Sequence, residues 1–219
     1  MTLLTFTQNM LRLSSSMGLS QAFFKFLDIA VAMNSDHDDS CFIRNLLVDF
    51  NKRDRYIFME AYSALLLEIT GDGSGLNDIL GEYMLRHIGS SVIITNQRIY
   101  DMLPGLFRFD GSSFRVADYD CHTGRRLLAA AKFKRNLRFY GTDSNIVFVR
   151  IALLNLCLNG LFGEIAFYNA QHDIFTSVWG VDLNYKGKPV IRQLLPEKSL
   201  LFQKRDGSLP DTTRLIFNF

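Results

Sequence analysis

From about residue 112 to residue 170, short strands that end in an acid or an amide alternate with helices. FRVAD closes on Asp118, GRRLLAAAKFKRN has helical spacing, and RFYGTD closes on Asp143. NIVFVRIALLNLCLNG is a helix stopped by Gly160, and EIAFYN is a third strand. Strands alternating with helices at this spacing predict parallel βαβ units and an α/β fold. The segments that follow, TSVWGVDLN, KPVIRQLL, SLLFQK and TRLIFNF, have no helical period and contain several turn signals. They read as short strands or hairpins that close the sheet.

The chain before this alternation reads as helix. In SQAFFKFLDIAVAM the apolar positions Phe23, Phe24, Phe26, Leu27, Ile29 and Ala30 recur at helical spacing, with Ser20 as a candidate N-cap. CFIRNLLVDFNK and YIFMEAYSALLLEIT are further helices, the latter ended by the glycine-rich turn from Gly71 to Gly75. Leu76 to His87 is another. The expected division is a helical region over 1–88 and an α/β domain over 89–219.

Composition bounds the function classes. With 24 Lys and Arg against 22 Asp and Glu in 219 residues, the net charge of +2 neither supports nor excludes a nucleic-acid partner. Three dispersed cysteines, Cys41, Cys121 and Cys157, argue against a disulfide framework or a cysteine-rich zinc site and for a reducing, cytoplasmic interior. The most apolar stretch, IVFVRIALLNLCLNGLFG, is interrupted by Arg150, Asn155 and Asn159, which fits a buried helix better than a membrane span.

The chemistry is expected at the carboxyl ends of the strands, where open α/β sheets bind ligands. Asp118 ends the first strand, and the loop after it opens a helix whose free N–H groups favour an anionic or polar group. Asp143 follows 25 residues later, near the separation of about 20 expected between a phosphate loop and a ribose-binding acid. Strand-ending acids also serve as plain helix caps, and both readings stay open at this point. The Arg125-Arg126 pair reads first as a solvated helix face and second as a phosphate or DNA contact. His37 among Asp36, Asp38 and Asp39 reads as a solvated loop before a cation site, and Trp179 reads as core.

The segment VADYDCHTGRRLLAAA resembles motif I of adenine-specific (N-6) DNA methyltransferases, written DPACGTG followed by a helix. Asp118, Cys121, Thr123 and Gly124 match, whereas Tyr119, Asp120 and His122 replace the proline, the alanine and the first glycine. YGTDSN is similar to the second motif, which makes Asp143 the acid implied to hold the ribose of S-adenosylmethionine. ALLNLCLNGLFGEIAFYNA resembles the next helix, turn and strand, with Asn169 near a position that contacts the adenine ring. DILGEYMLRHI and VIITNQRIYDML are similar to the approach to motif X, where only Thr95 of Ile94-Thr95-Asn96 matches the aromatic-Thr-Pro triplet. The helical N-terminal part resembles that of the small family members encoded by mobile elements.

This resemblance implies a Rossmann-like, S-adenosylmethionine-dependent methyltransferase fold behind a helical N-terminal region. It implies cofactor contacts from Asp118, Cys121, Thr123, Gly124, Asp143, Thr95 and Asn169. It does not imply the reaction. The family's catalytic [DNS]PP[YF] tetrapeptide needs adjacent prolines, and the four here, Pro104, Pro189, Pro196 and Pro210, all stand apart. His122 also brings a Cβ and a ring into space that a glycine would leave open. The expected function is a degenerate or accessory member of a DNA modification system. The alternatives are an active enzyme completed by a partner subunit, a module that binds the cofactor as a regulatory ligand, and a non-enzymatic interaction scaffold. The partners implied are DNA, a modification-system subunit or a second copy of the chain, with no membrane.

Overall fold

The computed structural model describes residues 3–36, 40–70, 76–89, 115–169 and 174–203. Thr95, His37, the Gly71–Gly75 turn and TRLIFNF lie outside the described residues. Helices α1 (Leu3–Ser14), α2 (Leu19–Met33), α3 (Ser40–Leu46), α4 (Lys52–Thr70) and α5 (Ile79–Tyr83) come first, and α5 continues into a wider π turn over Met84–Ile88. The remainder alternates: β1 (Arg115–Asp118), α6 (Arg125–Phe133), β2 (Arg138–Asp143), α7 (Ile146–Leu158) and β3 (Phe162–Asn169). Then come β4 (Ile174–Leu183), β5 (Pro189–Leu194), a 3-10 turn at Pro196–Lys198 and α8 (Leu200–Gln203).

The five strands form one mixed sheet in chain order, β1-β2-β3-β4-β5. The first three pair in parallel, with Asp118 beside Gly141 and Asp143 beside Phe167. Both β3–β4 and β4–β5 are antiparallel. The parallel units and the closing strands follow the sequence expectation, so the fold class is α/β. A doubly wound sheet reverses its strand order to open a ligand crevice; among the described residues this sheet has no reversal, and β1 lies at an edge.

Alternation along the strands sorts side chains to two faces. Val116, Phe139 and Ile165 enter the large core beneath α6 and α7, whereas Ala117, Tyr140 and Ala166 face a smaller cluster with Val178 and Leu201. α8 supplies Leu201 to that second face, which corrects the expectation of a strand at SLLFQK. The cause is Glu164 on β3. Its carboxylate accepts hydrogen bonds from Ser199 Oγ at 2.7 Å and from the N–H groups of Leu200 and Leu201 at 3.2 Å, capping a helical turn there. The start of α2 also differs: Gly18, at φ +85°, occupies the N-cap instead of Ser20.

α7 holds the molecule together. Phe148, Val149 and every residue from Ile151 to Cys157 are buried, because the helix lies between the sheet on one side and the N-terminal helices on the other. Its two polar interruptions, Arg150 and Asn155, and its C-cap Asn159 each reach an N-terminal partner. Arg150 pairs with Asp28 of α2 at 2.8 Å, Asn155 donates to Asp78 at 2.8 Å, and Asn159 accepts from the Leu76 N–H at 3.0 Å. Around these contacts one continuous core runs from Phe6 to Ile191, including the rings of Phe6, Phe23, Phe26, Phe58 and Tyr83. Each such large side chain contributes roughly 1.5–3 kcal/mol on burial. None of the helices among the described residues is long and apolar enough to cross a membrane.

Candidate functional site

The turn between β1 and α6 contains the residues that the sequence singles out. Asp118 ends β1, and the chain is folded back across the sheet end by two bonds to Thr142 of β2. Cys121 N–H donates to the Thr142 carbonyl at 2.9 Å, and Thr142 Oγ1 donates to the Tyr119 carbonyl at 2.6 Å. His122 takes φ +48° and Gly124 φ +81°, so the loop turns left-handed twice before α6 begins. Gly124 has a second requirement, since a Cβ there would stand 3.3 Å from the Cβ of Ala152 on α7.

The side chains of the turn are engaged inward. Cys121 is buried against Gly141, where a Cβ would lie 2.9 Å from its Sγ. Burial pushes its thiol well above the usual range, and Asp118 and Asp143 add to the effect. Thr123 Oγ1 donates to Asp78 Oδ2, and Asn155 Nδ2 bridges the Thr123 carbonyl and Asp78 Oδ1, each at 2.8 Å. Asp143 lies at the end of β2 with 5% of its surface exposed. Its Oδ2 accepts the His122 N–H at 2.9 Å and its Oδ1 the Asn145 N–H at 2.7 Å. Burial raises its carboxyl above the ordinary range, opposed by these N–H donors and by His122.

Two arginines complete the turn, and both correct the expectation of a solvated helix face. Arg125 is 2% exposed and pairs with Asp78 at 2.6 Å and Glu82 at 2.9 Å. Arg126 pairs with Asp118 at 2.7 Å and also donates to the Asp120 carbonyl. A cation in the first turn of a helix opposes the helix dipole, and these carboxylates supply the compensating charge. Asp78 is the residue that sequence reasoning missed. It caps α5 by accepting from Gly81 N–H at 2.8 Å and reaches across to α6 and α7. The signals that could have found it are the polar Asn155 inside an apolar helix, and an arginine pair where a helix starts.

Asp118 differs from its neighbours. It is fully buried, Oδ1 is held by Arg126 and weakly by the Asp120 N–H, and Oδ2 has no hydrogen-bond partner. Burial pushes its carboxyl up to about 6 against the pull of Arg126. Asp120, His122 and Asp143 each bring one ligand-type atom within 4.8 Å of the others. The imidazole Nδ1 lies 2.9 Å from the Asp120 carbonyl, the ring rests 5.3 Å from that of Phe148, and the Asp120 carboxylate is exposed. Asn169, at the end of β3, shares the sheet edge with Asp118 and Asp143 and pairs in register with Ile174 of β4. Clefts of about 510, 430 and 210 Å³ open elsewhere on the molecule, and none of the three is lined by this turn.

Neither a protein-family model nor a curated protein matches the chain. Among solved structures it is similar to the methyltransferase subunit of a type I restriction-modification system from Streptococcus thermophilus. The identity is 20% and the TM-score 0.37, over 72% of this chain. The chain spans 37% of that subunit's length.

Proposed function

We propose that this chain is a methyltransferase-like α/β protein that performs no methyl transfer by itself and acts as an accessory component in DNA modification. The observation that carries the reading is the internal engagement of the turn after β1. The Thr123 hydroxyl is given to Asp78, and both Asp143 oxygens are given to backbone N–H groups. His122 stands in the left-handed position that a glycine would leave open. On this reading the donor set does not fit S-adenosylmethionine, because a ribose would have to compete for a carboxylate that already closes the loop. The turn has become a clasp between α5, α6 and α7. The lack of adjacent prolines anywhere in the chain supports the same conclusion from the side of the target base.

A second reading is favoured by one observation. The unpartnered Oδ2 of Asp118 is a buried acceptor that a ligand N–H or O–H would satisfy, and in that case the turn binds the cofactor or another nucleotide as a regulatory ligand. Calorimetric titration with S-adenosylmethionine and S-adenosylhomocysteine separates the two. The accessory reading expects no heat of binding at millimolar ligand. Binding that disappears in both Asp118→Asn and Asp143→Ala would establish the regulatory one.

A further inference from the structure

At the end of the sheet, the turn after β1 sets an imidazole between two carboxylates. The ligand-type atoms of Asp120, His122 and Asp143 all lie within 4.8 Å of one another, the single group of this kind among the described residues. His122 Nδ1 is 3.6 Å from Asp120 Oδ1. Two ligands bound at about 2.1 Å to a tetrahedral ion stand about 3.4 Å apart, so this spacing already suits a shared cation. The Asp120 and His122 side chains are 76% and 23% exposed, and an ion reaches both from solvent.

Asp143 supplies the fixed member. Each of its oxygens accepts one backbone N–H, from His122 and from Asn145. A carboxylate has about four lone-pair sites, so each oxygen keeps one. A ribose edge would draw on both oxygens, whereas an ion needs a single lone pair.

Charge favours a divalent ion. Asp118, Asp120 and Asp143 bring three carboxylates to this end of the sheet, and Arg126 pairs with Asp118 at 2.7 Å. Arg125 is turned instead to Asp78 and Glu82. Asp118 and Arg126 cancel, leaving Asp120 and Asp143 with two negative charges, the complement of one divalent cation. The imidazole narrows the choice, because nitrogen donors suit zinc and its neighbours while magnesium prefers oxygen alone. Two of the three donors, Asp120 and His122, stand where the motif that the turn resembles has alanine and glycine, which carry no ligand atom.

We infer that Asp120, His122 and Asp143 form a binding site for one divalent transition-metal ion of the zinc type, joining the turn after β1 to the end of β2. The inference does not rest on the accessory reading. Metal and S-adenosylmethionine are titrated separately, so either can fail while the other stands.

Calorimetric titration of the full, metal-stripped chain with Zn²⁺, Mn²⁺ and Mg²⁺ tests it. The expected result is one Zn²⁺ per chain, bound more tightly than Mn²⁺ and far more tightly than Mg²⁺. Asp120→Ala and His122→Gly should each weaken Zn²⁺ binding roughly tenfold or more. Circular dichroism without metal confirms that both variants are folded, the first at an exposed position and the second at a left-handed one. Thermal melting gives a second readout: Zn²⁺ should raise the midpoint of the parent chain and leave those of the two variants where they were. No binding at millimolar Zn²⁺, Zn²⁺ binding unchanged in either variant, or a preference for Mg²⁺ overturns the inference.

Discussion

Two buried carboxylates flank the turn after β1. Asp78 receives Gly81 N–H, Thr123 Oγ1, Arg125 Nε and Asn155 Nδ2, while Asp118 has one strong partner in Arg126 and one oxygen without any. A carboxylate surrounded by donors is a structural joint, because each bond fixes a different helix to the others. One left short of donors is held in place by the fold at a cost, and its capacity to accept is still available. The turn is therefore finished on the side facing α5 and α7 and unfinished on the side facing the sheet end.

The sharpest way to break this contrast is to remove Asp78. Asp78→Ala leaves the Arg125 guanidinium and the Thr123 hydroxyl without that partner, and breaking a buried pair in this way costs about 3–5 kcal/mol. Urea unfolding should show a loss of that size. A loss under ~1 kcal/mol would mean that α5 is not tied to the α/β layer through this residue.

Asp118 should give a smaller change that depends on pH. Its folded value of about 6 lies above the ordinary 3.8, so folding favours the neutral acid. The unfolded chain ionises first as pH rises, and stability falls between about pH 4 and 6 and levels off above. Asp118→Asn removes this dependence, a difference on the order of 2–3 kcal/mol between pH 4 and pH 7.5. Parallel stability curves for the two proteins across that range would count against a desolvated Asp118. Arg126→Met sharpens the point, because removing the cation should leave the start of the fall near pH 4 and extend it to higher pH.

The smallest effect is expected at His122. Replacing it by glycine relieves a left-handed residue but gives up the ring contact with Phe148, and the two should cancel to within ~1 kcal/mol. The informative measurement is ligand binding. On the accessory reading, His122→Gly should show no affinity for S-adenosylmethionine, since Thr123 and Asp143 keep their bonds; binding by the variant alone would identify the imidazole as an obstruction.

The sequence made the strands and helices of the α/β part legible because each carries its own period and its own stop. RFYGTD begins and ends where β2 does, and Gly160 lies just beyond α7. It could not show the contacts that decide the candidate site. Thr123 and Arg125 meet Asp78 across 45 and 47 residues, and Asn155 meets it across 77. No periodicity spans such distances, so Arg125 reads as solvated in the sequence and is buried in the fold. Cys121 and Thr123 stand out in the sequence by their match to motif I, but only the packing reveals that they face inward. SLLFQK misled for a similar reason, because its helical turn is imposed by Glu164 from another strand.

The position of α7 in the chain has a consequence for synthesis. The first five helices leave the ribosome before residues 146–158 exist, yet α7 supplies the surface on which their aromatic core closes. Arg150, Asn155 and Asn159 then fasten that surface to α2, to Asp78 and to Leu76. Until residues 146–158 have been made, the nascent N-terminal helices therefore lack the polar partners that this helix and its C-cap supply to Asp28, Asp78 and Leu76.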